Sequence, residues 1–177
     1  NEFGDIGIDG DLLRDCGDAA CAAGDIIELA NGCICCTVAD DFLPTMQALI
    51  ERPDPPEHIV IETSGLALPK PLVQAFNWPE IRTRVTVDGV ITVIDAAAVA
   101  AGRFAADPAA LAARRAADRS LEHDAPLEEL FADQLACADM AILNKADLLD
   151  RAARATVRRS VERRLRAGVK LLAAEHG

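Results

Sequence analysis

Short apolar segments alternate along this chain with segments of helical periodicity, and this alternation limits its fold more than any other feature. Each apolar segment has the length and the β-branched or aliphatic content of a buried strand. They lie at residues 25–29, 58–62, 90–94 and 140–143, with a further candidate at 169–173. Between them, apolar residues recur with a period near 3.6, as at 42–50 and 127–135. The pattern predicts an α/β fold, a mostly parallel sheet flanked by helices on both faces.

Composition and charge exclude several classes of partner. The chain has 177 residues, of which 51% are hydrophobic, so it should be one domain, or a large piece of one, folded around a core. Acidic residues outnumber basic ones by 29 to 18, and the aromatic residues are five Phe and one Trp, which argues against binding to nucleic acid. No apolar run reaches the roughly 20 residues of a membrane helix, so no membrane partner is expected.

The six cysteines are expected to be reduced thiols, because no secretory signal is visible and the chain is long for a disulfide scaffold. A cytoplasmic location follows as an expectation. Three of them, Cys33, Cys35 and Cys36, lie within four residues. A turn there would bring three thiolates onto one ion, and three soft ligands suit Zn²⁺, Co²⁺ or Cu⁺ while leaving one coordination position open. Buried apolar cysteines and a structural zinc site with a distant fourth ligand remain as alternatives.

A polar motif, Asn144-Lys145-Ala146-Asp147, directly follows the predicted strand at 140–143. Parallel sheets bind ligands at the carboxyl ends of their strands, so this motif should face a ligand. The Asp147 carboxylate can accept hydrogen bonds from the N1 hydrogen and exocyclic amine of guanine, and the Lys145 stem can cover the ring. The alternative is an ordinary polar turn. The motif predicts a guanine site.

A second motif ends the predicted strand at 58–62, where Glu62 is followed by two hydroxyl residues and then by Gly65. The Glu62 carboxylate can organise Mg²⁺ or its waters near a γ-phosphate, and a glycine backbone can approach the phosphate closely. The alternative is a strand followed by a simple turn. Together with the motif at 144–147, this one predicts a site for a guanine nucleotide and its metal.

A phosphate cradle of the pattern G-x-x-x-x-G-K-[ST] does not occur in the sequence, since none of Lys70, Lys145 and Lys170 follows a glycine. Either the nucleotide hypothesis fails, or the cradle precedes Asn1. The chain begins without an initiator Met. The nucleotide hypothesis therefore requires a phosphate-binding loop upstream of Asn1.

The order of these motifs resembles the CobW-type P-loop GTPases over nearly the whole chain. The resemblance rests on residues 1–9, 32–36, 62–65 and 144–147. It implies that residues 1–177 are part of a P-loop GTPase domain, with the strand, Walker A loop and helix expected upstream of Asn1, and without the C-terminal domain of the family.

The resemblance also assigns roles to individual residues. Segment 1–9, with Glu2, is similar to a nucleotide-binding switch segment, and residues 174–177 to a loop that contacts the base. Glu62 and Gly65 are similar to the Walker B and switch II elements that act in hydrolysis. The implied guanine-binding residues are Asn144, Lys145 and Asp147, and the implied metal ligands are Cys33, Cys35 and Cys36.

The function implied is GTP-dependent supply of Co²⁺ to the aerobic cobaltochelatase of cobalamin biosynthesis, with GTP and Mg²⁺ as cofactors. One alternative keeps the GTPase and changes the metal to Zn²⁺, which thiolates bind more tightly than Co²⁺. The other is a non-enzymatic module with a structural zinc site. A phosphate cradle upstream would exclude the second alternative, whereas the sequence leaves the metal open.

Overall fold

The computed structural model describes residue 27, residues 42–63, residue 65, residues 67–103 and residues 126–175. Its helices are α1 (Leu43–Ile50), α2 (Pro69–Ala75), α3 (Ala96–Ala100), α4 (Leu127–Cys137) and α5 (Arg151–Glu162). Its strands are β1 (Ile91–Asp95), β2 (Met140–Asn144) and β3 (Lys170–Ala173), and a 3₁₀ turn, η1, spans Ala146–Leu148.

The three strands form one parallel sheet in the order β1-β2-β3. In the register of β1 and β2, Asp95 lies opposite Asn144, so the two strands end side by side. The predicted parallel α/β fold is confirmed, and the predictions at 90–94, 140–143 and 169–173 correspond to β1, β2 and β3. The helical patterns at 42–50 and 127–135 correspond to α1 and α4.

The main core lies between one face of the sheet and helices α4 and α5. Alternate strand residues point to this face, and Leu135 and Val161 are fully buried against them. The cluster consists of Ile94, Ala96, Phe131, Leu135, Ala141, Leu143, Val157, Val161 and Leu171. The opposite face exposes Ile91, Val93 and Leu172. Helices α4 and α5 therefore lie on the same side of the sheet, so the described residues place helices on one face, whereas the sequence predicted them on both.

Helix starts follow local sequence rules. Asp95 caps α3, since its Oδ1 accepts a hydrogen bond of 2.8 Å from the Ala98 amide, and Asp150 caps α5 by the same bond from Ala153. Proline stands in the first turn of α1 and of α2, where a missing amide hydrogen is tolerated. Among the helices of the described residues, none is both long and apolar enough to cross a membrane.

A second apolar cluster packs α1 against α2. Phe42 and Met46 are buried there together with Leu72 and Ile81. The rings of Phe42 and Phe76 meet edge to face, with 5.2 Å between their centroids. This cluster supports the segment that carries Glu62, because the half-buried Ile59 and Ile61 pack against it.

The prediction of a strand at 58–62 was wrong, although inward and outward side chains do alternate along this segment. Ile59 and Ile61 point into the second cluster, whereas Val60 is 94% exposed. These residues have no strand assignment, because a strand needs a hydrogen-bonded neighbour and no described strand pairs with this segment. The predicted strand at 25–29 lies outside the described residues, apart from Ile27, which is exposed and not in a strand.

Candidate functional site

The loop after β2 is held in a defined conformation by its own first residues. Asn144 ends the strand, and its side-chain Oδ1 accepts a 2.8 Å hydrogen bond from the Lys145 amide. Lys145 has a φ of 57°, in the left-handed region that few non-glycine residues adopt. It is the one non-glycine residue of the described ranges with a positive φ. The chain therefore turns sharply here, and Asp147 follows within η1.

An ion pair connects this loop to the neighbouring strand. The Lys145 Nζ lies 2.6 Å from Oδ2 of Asp95, which ends β1. Asp95 uses its other oxygen, Oδ1, to cap α3. One carboxylate therefore orients the Lys145 side chain across the sheet edge and starts a helix.

The environment of Asp95 favours its ionised form. Burial of the carboxylate, the largest single influence, raises its pKa, but several favourable contacts outweigh it. These are the hydrogen bond from Lys145, the amides of Ala98 and Ala97, and the positive charge of Lys145. Together they hold the pKa of Asp95 below its ordinary value of 3.8, so this carboxylate is ionised near neutral pH.

Asp147 is half-buried in η1, whose first residue, Ala146, is hydrogen-bonded to the segment that follows β3. Its Oδ1 atom is buried without a hydrogen bond from the described residues, while the residue as a whole has a polar interaction in the protein. The Ala146 amide donates to the Ala174 carbonyl at 3.1 Å, and the Ala174 amide donates to the Leu143 carbonyl at 2.9 Å. The loops after β2 and β3 therefore support each other.

The loop that contains Gly65 is held by a side chain from α4. Glu62 and Gly65 are both exposed, and apart from the chain neighbours of Gly65, no atom of the described residues lies within 4 Å of the position where a Cβ of Gly65 would be. The Nε2 of Gln134 donates to the Gly65 carbonyl at 2.9 Å and to the Ala67 carbonyl at 3.1 Å. An approaching ligand would thus find room at Gly65, on a loop that α4 holds from behind.

A family model described as CobW/HypB/UreG, nucleotide-binding domain, matches residues 1–173. The chain belongs to this family. The CobW/HypB/UreG match covers both the loop at 144–147 and the segment around Gly65, so the sheet edge described above is part of a nucleotide-binding domain.

Relatives of the chain are similar over its whole length. A Sinorhizobium protein named zinc chaperone CobW is 59% identical over 100% of this chain and 50% of its own length. A Pseudomonas aeruginosa protein of the same name is 55% identical over 100% of this chain and 48% of its own. A Schizosaccharomyces pombe protein named zinc-regulated GTPase metalloprotein activator 1 is 31% identical over 91% of this chain and 34% of its own. The chain spans about half the length of the first two relatives. No solved structure gives a significant match.

The structure brings together some of the predicted site residues of this CobW/HypB/UreG domain. Asn144, Lys145 and Asp147 form one loop at the carboxyl end of β2, as predicted, and Ala174 adjoins it. Glu62 lies on a separate irregular segment, and Gly65 lies in the turn that follows it. The remaining predicted residues, Glu2, Cys33, Cys35 and Cys36, lie outside the described residues, so their roles stay predictions.

Two polar residues of the site were missed in the sequence. Asp95 carried a usable signal, because an acid directly after an apolar segment and before an Ala-rich run is typical of a helix N-cap at a strand end. Gln134 carried none. Its bonds to Gly65 and Ala67 span 69 and 67 residues of sequence, and an amide on a helix face is usually a solvated side chain.

Proposed function

We propose that this chain is the nucleotide-binding part of a GTP-dependent metallochaperone. The full-length protein binds and hydrolyses GTP, and it uses that cycle to load and release a divalent metal ion held by thiolates. The observation that carries this proposal is the loop at 144–147, which stands at the carboxyl end of β2 with its lysine tied to Asp95 of β1.

Guanine selectivity follows from the chemistry of this loop. Ionised Asp147 accepts hydrogen bonds only, and guanine offers two donors, its N1 hydrogen and its exocyclic amine. Adenine has no hydrogen on N1, so it cannot pair with a carboxylate in the same way. The Lys145 stem covers the base, and the ion pair with Asp95 keeps that side chain on the sheet edge.

Glu62 and Gly65 serve the phosphate end of the same nucleotide. The Glu62 carboxylate is exposed, and oxygen ligands of this kind suit Mg²⁺ or its bound waters. When bound, Mg²⁺ neutralises charge on the β- and γ-phosphates. Gly65 presents backbone that a phosphate can approach, and the switch segment with Glu2 would complete the surroundings of the nucleotide.

Zn²⁺ is the favoured cargo. Cys33, Cys35 and Cys36 supply three soft ligands, and such a site binds Zn²⁺ more tightly than Co²⁺ in the usual order of divalent ions. Two similar proteins bear the name zinc chaperone, which supports the same choice. Delivery of Co²⁺ to a cobaltochelatase is the second candidate, supported by the resemblance of the motifs to a cobalamin-biosynthesis GTPase.

The guanine assignment is tested by Asp147→Asn in the full-length protein. Loss of hydrogen bonds to a charged acceptor, about 1.5–3 kcal/mol, should weaken GTP binding by about 10- to 100-fold and improve binding of XTP. Asp150→Asn is the matched control, because asparagine also caps a helix and Asp150 only caps α5. Unchanged preference for GTP over XTP and ATP in Asp147→Asn would contradict the assignment.

The cargo is tested by competition between Zn²⁺, Co²⁺ and a calibrated chelator, with GDP and with a non-hydrolysable GTP analogue. A triple Cys33, Cys35, Cys36→Ser variant should lose the metal site. The control is Cys137→Ser, since Cys137 is half-buried at the end of α4, and this variant should keep the metal site. We expect tighter metal binding with the analogue than with GDP, and weaker binding as acidification protonates the thiolates. Equal metal affinities in the two nucleotide states would contradict the delivery cycle.

A further inference from the structure

Gln134 connects three parts of the fold that are distant in sequence. Its side-chain amide donates both of its hydrogens, one to Gly65 and one to Ala67. Its backbone carbonyl accepts a 3.2 Å hydrogen bond from the Thr92 hydroxyl on β1. The residue therefore links strand β1, helix α4 and the loop that follows Glu62.

These bonds fix the loop that follows Glu62, next to a segment that the second apolar cluster supports through Ile59 and Ile61. Ala67 is buried, whereas Glu62 and Gly65 are exposed and the preceding backbone has no strand neighbour among the described residues. Two donors from one planar amide define the positions of two carbonyls at once, since the amide is rigid and its geometry is directional. The orientation of the Gly65 backbone thus depends on a side chain of α4.

The support for Gln134 is itself rigid. The neighbouring α4 residues Phe131 and Leu135 are buried in the main core, so the helix cannot shift without disturbing that packing. The Thr92 bond ties the same turn of α4 to β1. Because α4 is fixed by the core, Gln134 holds the Gly65 and Ala67 carbonyls at fixed positions. A movement of this loop away from α4 would break these two hydrogen bonds.

We propose that Gln134 is a positioning residue for GTP hydrolysis, which holds the Gly65–Ala67 carbonyls so that the backbone at Gly65 meets the γ-phosphate in the reactive geometry. This inference rests on the proposed GTPase function. Outside α4, the hydrogen bonds of Gln134 to described residues go to Gly65, Ala67 and Thr92, and none goes to the base-binding loop at 144–147. Its loss should therefore lower turnover and leave guanine binding unchanged.

The test compares Gln134→Glu and Gln134→Ala with wild type in the full-length protein. Glutamate has the same shape, but its carboxylate donates no hydrogen bond and repels both carbonyls. We expect kcat for GTP to fall about tenfold, the change that 1.36 kcal/mol makes in a rate, with the Kd for GDP unaltered. Gln74→Glu is the control, because Gln74 is an exposed glutamine on the adjacent helix α2.

Two further readouts separate positioning from general loss of structure. In Gln134→Glu the defect should shrink at acidic pH, because a protonated glutamate recovers one donor, whereas Gln134→Ala should show no such recovery. Hydrogen exchange of a peptide that covers residues 62–70 should accelerate in both variants, with exchange in α5 unchanged.

The outcomes are distinguishable. Wild type without guanine-selective turnover would overturn the proposed function and this inference with it. Normal turnover in wild type and in Gln134→Glu would overturn the inference alone. A parallel loss of GDP affinity, turnover and global stability in both variants would make Gln134 a structural residue only, which also overturns it.

Discussion

The ion pair between Asp95 and Lys145 allows a quantitative prediction, because one carboxylate performs two separable tasks. Its Oδ2 pairs with Lys145 at 2.6 Å, and its Oδ1 caps α3 at 2.8 Å. Asparagine caps a helix nearly as well as aspartate, whereas alanine does not. Asp95→Asn therefore removes the charge and keeps the cap, and Asp95→Ala removes both.

The expected magnitudes follow from exposure. The side chains are 49% exposed for Lys145 and 24% exposed for Asp95, so solvent weakens the pair. Its contribution to the free energy of unfolding should be about 1 kcal/mol, the upper part of the range for exposed pairs. Loss of the cap should cost about 1 kcal/mol more. We expect about 1 kcal/mol for Asp95→Asn and about 2 kcal/mol for Asp95→Ala.

The pH dependence has a definite sign. The folded-state pKa of Asp95 lies below 3.8, so its ionised form contributes stability above the unfolded-state pKa. That contribution is lost as the pH falls through the lower folded-state value. The stability gap between wild type and Asp95→Asn should therefore be constant near neutral pH and close only in strong acid, below about pH 3.8.

Urea unfolding is the suitable assay, since guanidinium is itself a salt that would screen the pair. A double-mutant cycle with Lys145→Met isolates the coupling, and hydrogen exchange at the Ala98 amide reports the cap separately. The cycle for Arg158 and Glu162, a surface pair on α5, provides a comparison. Additive effects of Asp95→Asn and Lys145→Met, or a stability gap that persists in strong acid, would refute the reasoning.

Two further predictions concern the framework of the site. Leu135→Ala, at a fully buried position next to Gln134, should lower the free energy of unfolding by about 2–5 kcal/mol. Leu148→Ala is the control and should change it little, because Leu148 is 66% exposed. Equal effects of the two substitutions in thermal unfolding would contradict the core assignment. Asp150→Ala should destabilise by about 1 kcal/mol through loss of the α5 cap, and Asp150→Asn should be nearly neutral, so a similar loss in both would point to the charge instead.

Helices and strands with their own periodicity could be read from the sequence. Helix α1 and helix α4 repeat apolar residues at helical spacing, and β1 and β2 are short apolar runs, so local side-chain pattern was sufficient for each. The segment at 58–62 shows the limit of that approach. Its alternation correctly predicted that Ile59 and Ile61 pack inward, but a strand also needs a neighbour, which no local pattern contains.

The placement of Asn144, Lys145 and Asp147 at a sheet edge could likewise be inferred, because a polar motif directly after a buried strand must lie where that strand ends. The sequence by itself thus determined the fold class and the position of this loop with its Asp147 carboxylate. The same motifs also indicated the family to which the chain belongs.

Only the tertiary structure decided which residues hold these loops. The Lys145–Asp95 pair joins residues 50 positions apart, and the Gln134–Gly65 bond joins residues 69 positions apart. Each depends on how two strands align or how a helix packs beside a loop, and those relations arise from the whole core. A hydrogen bond requires its two atoms to lie within about 3 Å of each other, and residue type and spacing along the chain do not contain that distance.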